Sequence, residues 1–311
     1  PRDMTLIYTH DAALKHVTPP GHPERVARNE ALIPALKAID GLDWREAPMG
    51  ARDDVLRCHP DSYVSRIEAA IPAQSYASLD ADTHVSPGSL DAAMRAVGGI
   101  TAAIDAVMAG EAKTGFVAMR PPGHHAETET AMGFCLFGTA AIGAKYALDH
   151  HGLSRVAVLD FDVHHGNGTQ DLLWNEERTL FCSSHQMPLY PGTGGAHETG
   201  AFDNVLNTPL APMTGGREMR RAWGDMILPA VDDFAPELII ISAGFDAHAY
   251  DPLANLNWHE EDFRWVTAAI CEVAASHSEG RVVSTLEGGY DLDALAASGA
   301  AHVMALKEHE A

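Results

Sequence analysis

Six short segments of this chain are near-continuously apolar, and this restricts the fold more than any other feature. They read "TLIYT", "GFVAMR", "RVAVLDFDV", "TLFCSSH", "ELIIISAGFD" and "RVVSTLEGGY". A strand with one wet face alternates polar and apolar residues, whereas a run apolar throughout belongs to a strand covered on both sides. Between these runs lie stretches of helical period: "HPERVARNEALIPALKAI", "SPGSLDAAMRAVGGITAAIDAVMAG", "GTAAIGAKYALDHHG", "GREMRRAWGDMILPAVDDFA", "EDFRWVTAAICEVAASH" and "DALAASGAAHVMALKEH". Ser86 or Ser89 is the expected cap of the Ala-rich second helix. The alternation predicts an α/β fold: a mostly parallel sheet with helices on both faces. With no internal repeat and no low-complexity linker, one domain over residues 1–311 is expected. Met4 marks the expected natural start, with residues 1–3 an addition ahead of it.

Composition narrows the class of function. The chain has 311 residues, 46% hydrophobic and 21% charged, enough to bury a sizeable core. No apolar run approaches a membrane span, and the first residues lack a secretion pattern. A formal net charge of -22 repels phosphates and argues against nucleic acid. It favours cations such as lysine side chains or polyamines. Cys58, Cys135, Cys182 and Cys271 form no CxxC pair. Cys135 and Cys182 lie in apolar stretches, as buried inert thiols do, and a reducing cytoplasm fits. Neither a nucleic-acid nor a membrane partner is expected, and self-association is left open.

In open parallel sheets, function collects beyond the carboxyl ends of the strands. Four strands here run directly into titratable groups. One leads through "RPPG" to His124 and His125, one to Asp160, Asp162 and His164, one to Asp246 and one to Tyr290. Strand alternation puts Asp160, Asp162 and His164 on one face, with Leu159, Phe161 and Val163 on the other. A single aspartate at a strand end is ordinarily just solvated. Several converging buried charges need a cation or hydrogen bonds to offset them. Asp162, His164 and Asp246 make a three-ligand set for zinc, or Fe(II), with a position open to water.

Other residues are read as structural. His10, His16, His59, His84 and His277 are expected at the surface or at helix ends, and His150 and His151 at a helix end. His165 and His185 are expected to pack or hydrogen-bond. Trp44, Trp174, Trp223, Trp258 and Trp265 are expected in the core or rim. Asp80 and Asp82 lie in a polar loop and receive no role.

The stretches "GHPER", "RPPGHHA", "GFCLF", "DFDVHHGNGTQ", "SSHQMPLYPGTG", "SAGFDAH" and "EGGY" occur in the order found in zinc-dependent histone deacetylases. From Gly21 to Tyr290 the chain resembles that family, above all its class II and the bacterial histone deacetylase-like amidohydrolases. The resemblance implies an arginase/deacetylase fold with about eight sheet strands and hydrolysis of an N-acyl amide. It implies Asp162, His164 and Asp246 as zinc ligands and His125 as general base and acid. Asp160 would orient His124, Asn167 would face His125, and Tyr290 would polarise the carbonyl. It implies potassium at Asp160, Asp162, the His164 backbone, Ser183 and Ser184. It also implies a tunnel walled by Gly133, Phe134 and Tyr190, and Arg28 near an inner acetate channel. Gly288 and Gly289 are read either as admitting substrate close to the backbone or as a plain turn.

Three positions depart from the family pattern. Gly138 and Thr139 stand where relatives often carry two asparagines, for which a local helix effect is expected. Leu253 stands where a polyamine-selective relative has an acidic gate. The expected substrates are acyl-lysine peptides or small acyl-amines, with acetylpolyamine, small-amide or ester hydrolysis as the alternative. A two-manganese ureohydrolase would carry Asp-x-His-x-Asp where this chain reads Asp-x-Asp-x-His. A scaffold that binds acyl groups without turnover fits poorly with so complete a set.

Overall fold

The computed structural model describes residues 4–311, so the addition expected over residues 1–3 lies outside the described residues. Among the described residues there are ten strands: β1 (Thr5–Thr9), β2 (Leu42–Glu46), β3 (Ala77–Ser78), β4 (His84–Val85), β5 (Thr114–Val117), β6 (Val156–Asp160), β7 (Thr179–Gln186), β8 (Val205–Leu210), β9 (Leu238–Ala243) and β10 (Val282–Leu286). Eight form one sheet in the order β2-β1-β5-β10-β9-β6-β7-β8. Every neighbouring pair in it is parallel. β3 and β4 form a small antiparallel hairpin apart from it.

The α-helices are α1 (Ala27–Lys37), α2 (Arg52–Val55), α3 (Asp61–Ala70), α4 (Ser89–Met108), α5 (Thr139–His150), α6 (Asn167–Leu173), α7 (Gly216–Arg221), α8 (Leu228–Phe234), α9 (Glu260–His277) and α10 (Leu292–Glu310). The central strands feed two separate apolar layers. Val156, Val158, Leu238 and Ile240 pack with Ile100 and Ile104 of α4 and Ile142 of α5. Ala157, Leu159, Ile239 and Ile241 pack on the opposite face with Phe263 and Ile270 of α9 and Leu295 and Val303 of α10. Alternate residues of one strand thus enter different cores, which is why the strand sequences carry no polar alternation.

Several local expectations are corrected. Strands β2 and β8 and helix α3 were not anticipated from the sequence. Neither Ser86 nor Ser89 caps α4: its N-cap is Gly88, and Ser89 Oγ instead accepts from the Ser86 amide at 2.7 Å. Residues 216–235 are not one α-helix, because a π-helical turn, Ala222–Ile227, separates α7 from α8. His16 and His59 do lie at helix ends, His16 as the C-cap of the 3-10 turn Asp11–Lys15 and His59 just before the Pro60 cap of α3, but both are 1% exposed and neither is a surface residue. His16 Nδ1 pairs with Ser89 Oγ at 2.6 Å, and His59 joins Thr128 O and the Gly138 amide at the start of α5.

His302 of α10 is fully buried between two hydroxyls. Thr267 Oγ1 donates to Phe263 O, so it accepts from His302 Nδ1–H at 2.7 Å, and Ser284 Oγ–H then donates to Nε2 at 2.8 Å. A neutral ring satisfies both contacts, and burial lowers its pKa to about 3. Burial similarly holds His16 and His59 at about 4. Because the unfolded chain protonates first, stability is full above about pH 6.5 and is lost as pH falls toward the folded values. At pH 5 each such histidine costs about 2 kcal/mol relative to pH 8. Thermal unfolding followed from pH 8 to 5 is expected to show a falling Tm, with a shallower slope for His302→Gln. An unchanged slope in that variant would remove His302 from the account.

Candidate active site

Four adjacent strands at the centre of the sheet, β5, β10, β9 and β6, deliver the titratable groups to one edge. β6 stops at Asp160, so Asp162 and His164 lie in the following loop and not on a strand face as expected. Their common orientation has a different cause. Asp160 Oδ1 accepts from the Asp162 amide (3.0 Å), and Asp162 Oδ1 accepts from the His164 amide (2.9 Å). Each aspartate caps the backbone two residues on, a turn that short acidic side chains favour. The other register is core: Leu159 and Phe161 are fully buried and Val163 is 1% exposed.

Asp246, beyond β9, completes the cluster. One ligand atom from each of Asp162, His164 and Asp246 lies within 4.8 Å of the others, and all three residues are buried. His164 Nδ1 lies 3.1 Å from Asp246 Oδ2 and 3.3 Å from Asp162 Oδ1. Burial opposes charge on His164, yet hydrogen bonds to the two carboxylates push its pKa up to about 10. The site therefore calls for a cation. The wider neighbourhood agrees: Glu24, Asp160, Asp162, Asp246, Asp251 and Glu287 are each at most 6% exposed, against the buried guanidiniums of Arg28 and Arg120. Two carboxylates and an imidazole fit zinc or ferrous iron. A Cβ at Gly288 would lie 2.2 Å from Asp246 Oδ2, and the Gly288 amide donates to Asp162 Oδ2 at 2.8 Å. Gly288 thus leaves room for the Asp162 and Asp246 carboxylates.

Further oxygen atoms lie alongside. The β6–β7 register sets Asp160 beside Ser183. Ser183 Oγ pairs with His185 Nδ1 (2.8 Å), and Ser184 Oγ accepts from Trp223 Nε1 (3.0 Å). His165 likewise bonds Thr193 and Gln170.

The two histidines differ in partner. His124 Nδ1 meets Asp160 Oδ2 at 2.8 Å. Burial opposes its protonation, but the charges of Asp160 and Asp162 win and hold its pKa well above the usual value. His125 Nδ1 meets Asn167 Oδ1 at 2.7 Å. Asn167 Nδ2 donates to Glu127 Oε1 at 2.8 Å, so the amide oxygen faces His125, Nδ1 carries the proton and Nε2 keeps a lone pair. Burial, then the nearby charges of His124 and His164, hold the His125 pKa well below the usual value. Gly133 packs so closely, at φ +56, that a Cβ there would lie 2.4 Å from the His125 ring.

Tyr290 follows β10. Its amide donates to Asp251 Oδ2 (2.8 Å), and the Arg28 guanidinium lies 4.9 Å from its ring centre. Burial, more than the opposing Arg28 charge, raises the phenol pKa well above 10, so the hydroxyl keeps its proton. Arg28 is fully buried and bonds Glu24, Glu287 O and Gly289 O.

A cavity of about 290 Å³ opens onto these groups, lined by His22, Pro23, Asp82, His125, Gly133, Phe134, His164, Tyr190, Leu253 and Tyr290. Gly288 and Gly289, expected in its wall, are not among the lining residues. His22, Pro23 and Asp82 line it although the sequence assigned them nothing. His22 Nε2 holds Asp82 O at 2.7 Å, a tie between residues 60 apart in sequence that no local pattern reveals. His248, His259 and Glu260 form another compact group. There, His248 Nδ1 accepts from the Tyr250 amide, which leaves the ring proton on Nε2 and no lone pair for a metal.

Residues 22–306 match the family model described as histone deacetylase domain. The chain is 43% identical over 301 residues to an uncharacterized protein of Synechocystis sp., covering 95% of this chain and 96% of that one. It is 41% identical over 286 residues to a histone deacetylase-like amidohydrolase of Pseudomonas aeruginosa, covering 88% and 74%. The crystal structure of the HDA15 HD domain superposes with a TM-score of 0.93 at 29% identity, covering 98% of this chain and 89% of that one.

Proposed function

Because the chain belongs to the histone deacetylase family, we propose that it hydrolyses N-acyl amides, with acyl-lysine side chains or small acyl-amines as substrates. One observation carries this reading: the buried Asp162, His164 and Asp246 cluster reaches, through His164, the cavity that the His125 base and Tyr290 also line. The proposed ion on those ligands is zinc, with ferrous iron the alternative. When bound, its chemistry is Lewis-acid polarisation of a carbonyl and a lowering of water's pKa toward about 7. Neutral His125 takes the proton from the attacking water at Nε2 and passes it to the departing amine. Asn167 keeps the ring in the tautomer that allows this. His124, held by Asp160 at 2.8 Å, keeps its ring in a fixed orientation beside the reacting centre. The Tyr290 hydroxyl donates to the carbonyl oxygen as that oxygen gains charge, the work of an oxyanion hole. Phe134, Tyr190 and Leu253 offer apolar walls to a lysine stem.

A potassium ion on Asp160, Asp162, the His164 carbonyl, Ser183 and Ser184 is part of the proposal, supported by that run of oxygen donors. The Asp-x-Asp-x-His order gathers one compact buried set, Asp162, His164 and Asp246, which favours a single catalytic ion over the two of a ureohydrolase. The proposed setting is a reducing cytoplasm, supported by four buried, unpaired cysteines. Among the described residues, no helix is long and apolar enough to cross a membrane.

A hydrolysis screen over acyl-lysine peptides, acetylpolyamines and small esters tests the reading. Acyl-lysine turnover is expected to exceed acetylpolyamine turnover, because Leu253 offers no carboxylate to a distal ammonium. A metal-loaded protein inert on all three classes would leave only an acyl-binding role.

A further inference from the structure

The prolines of "RPPGHH" do not by themselves fix the tandem histidines. Strand β5 ends at Val117, so the segment that follows has left the sheet ladder. Pro121 and Pro122 have no amide proton, and the next two amides, of Gly123 and His124, are buried donors that need an acceptor. Both point at one atom: Glu287 Oε2, at 2.8 and 3.1 Å. The other oxygen, Oε1, accepts from Ser242 Oγ at 3.0 Å. Glu287 is 0% exposed.

The backbone of Glu287 is held as firmly as its side chain. Its amide donates to Ala243 O (2.9 Å), and its carbonyl accepts from Arg28 Nη2 (2.7 Å). The next residue, Gly288, bonds Asp162, and Tyr290 stands three residues on. One carboxylate therefore spans three neighbouring strand ends: β5 with the histidines, β10 with the tyrosine and β9 leading to Asp246.

We propose that Glu287 is a positioning residue whose carboxylate sets the distance between the His124–His125 segment and Tyr290 by accepting the Gly123 and His124 amides. This rests on the hydrolytic reading of the site. Glu287 touches neither the cavity nor the ligand atoms of the cluster; it acts through the backbone that carries them. Its reach matters more than its charge. A glutamine can turn its carbonyl toward the two amides and its NH2 toward Ser242 Oγ, whose hydroxyl then serves as acceptor. An aspartate keeps the charge but ends about 1.5 Å short.

The test compares Glu287→Gln with Glu287→Asp in the metal-loaded full chain. Expected for Glu287→Asp is a kcat about 100-fold lower with KM near wild type, the scale of effect of a displacement of about 1 Å. Glu287→Gln is expected to keep kcat close to wild type. Amide hydrogen exchange at Gly123 and His124 is expected to rise about tenfold or more in Glu287→Asp and to stay slow in Glu287→Gln. Near-wild-type kcat and exchange in Glu287→Asp would overturn the proposal. So would a Glu287→Gln variant as impaired as Glu287→Asp, since charge and not reach would then be at work. Wild-type protein without turnover strikes the hydrolytic reading instead, and the exchange data still decide whether the brace exists.

Discussion

Tyr290→Phe is expected to lower kcat about 100- to 1000-fold while leaving the fold and metal content intact. The hydroxyl is the single atom removed. Tyr290 lines the cavity, and its hydroxyl keeps its proton because burial raises the phenol pKa well above 10. Its donor strength is spent on an oxygen that becomes charged only as water adds to the carbonyl, so the loss falls on kcat and spares KM. The ring's surroundings do not involve the hydroxyl: Arg28 lies over the ring face, Phe134 meets it edge-on at 5.8 Å, and Asp251 holds the backbone amide. Steady-state kinetics with matched metal analysis check the prediction. A variant within threefold of wild type would leave the carbonyl without its proposed second donor.

Stripping the protein with a chelator is expected to abolish turnover, to lower Tm by several degrees and to be reversed by zinc. The physical reason is the charge imbalance around Asp162, His164 and Asp246, where buried carboxylates outnumber buried guanidiniums. An ion present at about 100 times its Kd adds about 2.7 kcal/mol to stability, and removal forfeits that amount. Gly288→Ala extends the test. Its new methyl would sit 2.2 Å from Asp246 Oδ2, so metal affinity is expected to fall about 10- to 100-fold, as when an outer partner of a ligand is lost. Competition with a chromophoric chelator measures the affinity, and calorimetry or fluorimetry measures Tm. Full activity after exhaustive chelation would remove the metal from the mechanism.

What could be read in the chain follows burial. The six strands recognised from apolar runs include all four that carry the site. The two strands of the eight-stranded sheet that were missed, β2 with its half-exposed "LDWRE" and β8 with Pro209, are its edges. An edge strand shows one side to solvent and tolerates charge and proline, so its sequence loses the signal that a doubly covered strand must keep. Burial of His16 and His59 was hidden for a related reason: a histidine whose ring nitrogens find partners can be buried neutral, and His16 meets Ser89 73 residues away while His59 meets Thr128 and Gly138, 69 and 79 residues away.

The sequence by itself determined the alternation of covered strands and helices, and the order in which acids, imidazoles and a phenol leave the strand ends. It also determined the Asp-x-Asp-x-His spacing, because each aspartate there serves the amide two residues later. Only the tertiary structure decided which ends become neighbours. It brought Glu287 to the amides of Gly123 and His124, 164 and 163 residues apart in the chain, and Asp82 to the cavity rim under His22. Local pattern reports what one segment must bury. It holds no record of the unpaired donor that another segment brings to the same place, and the close packing of the sheet's carboxyl edge is what joins the two.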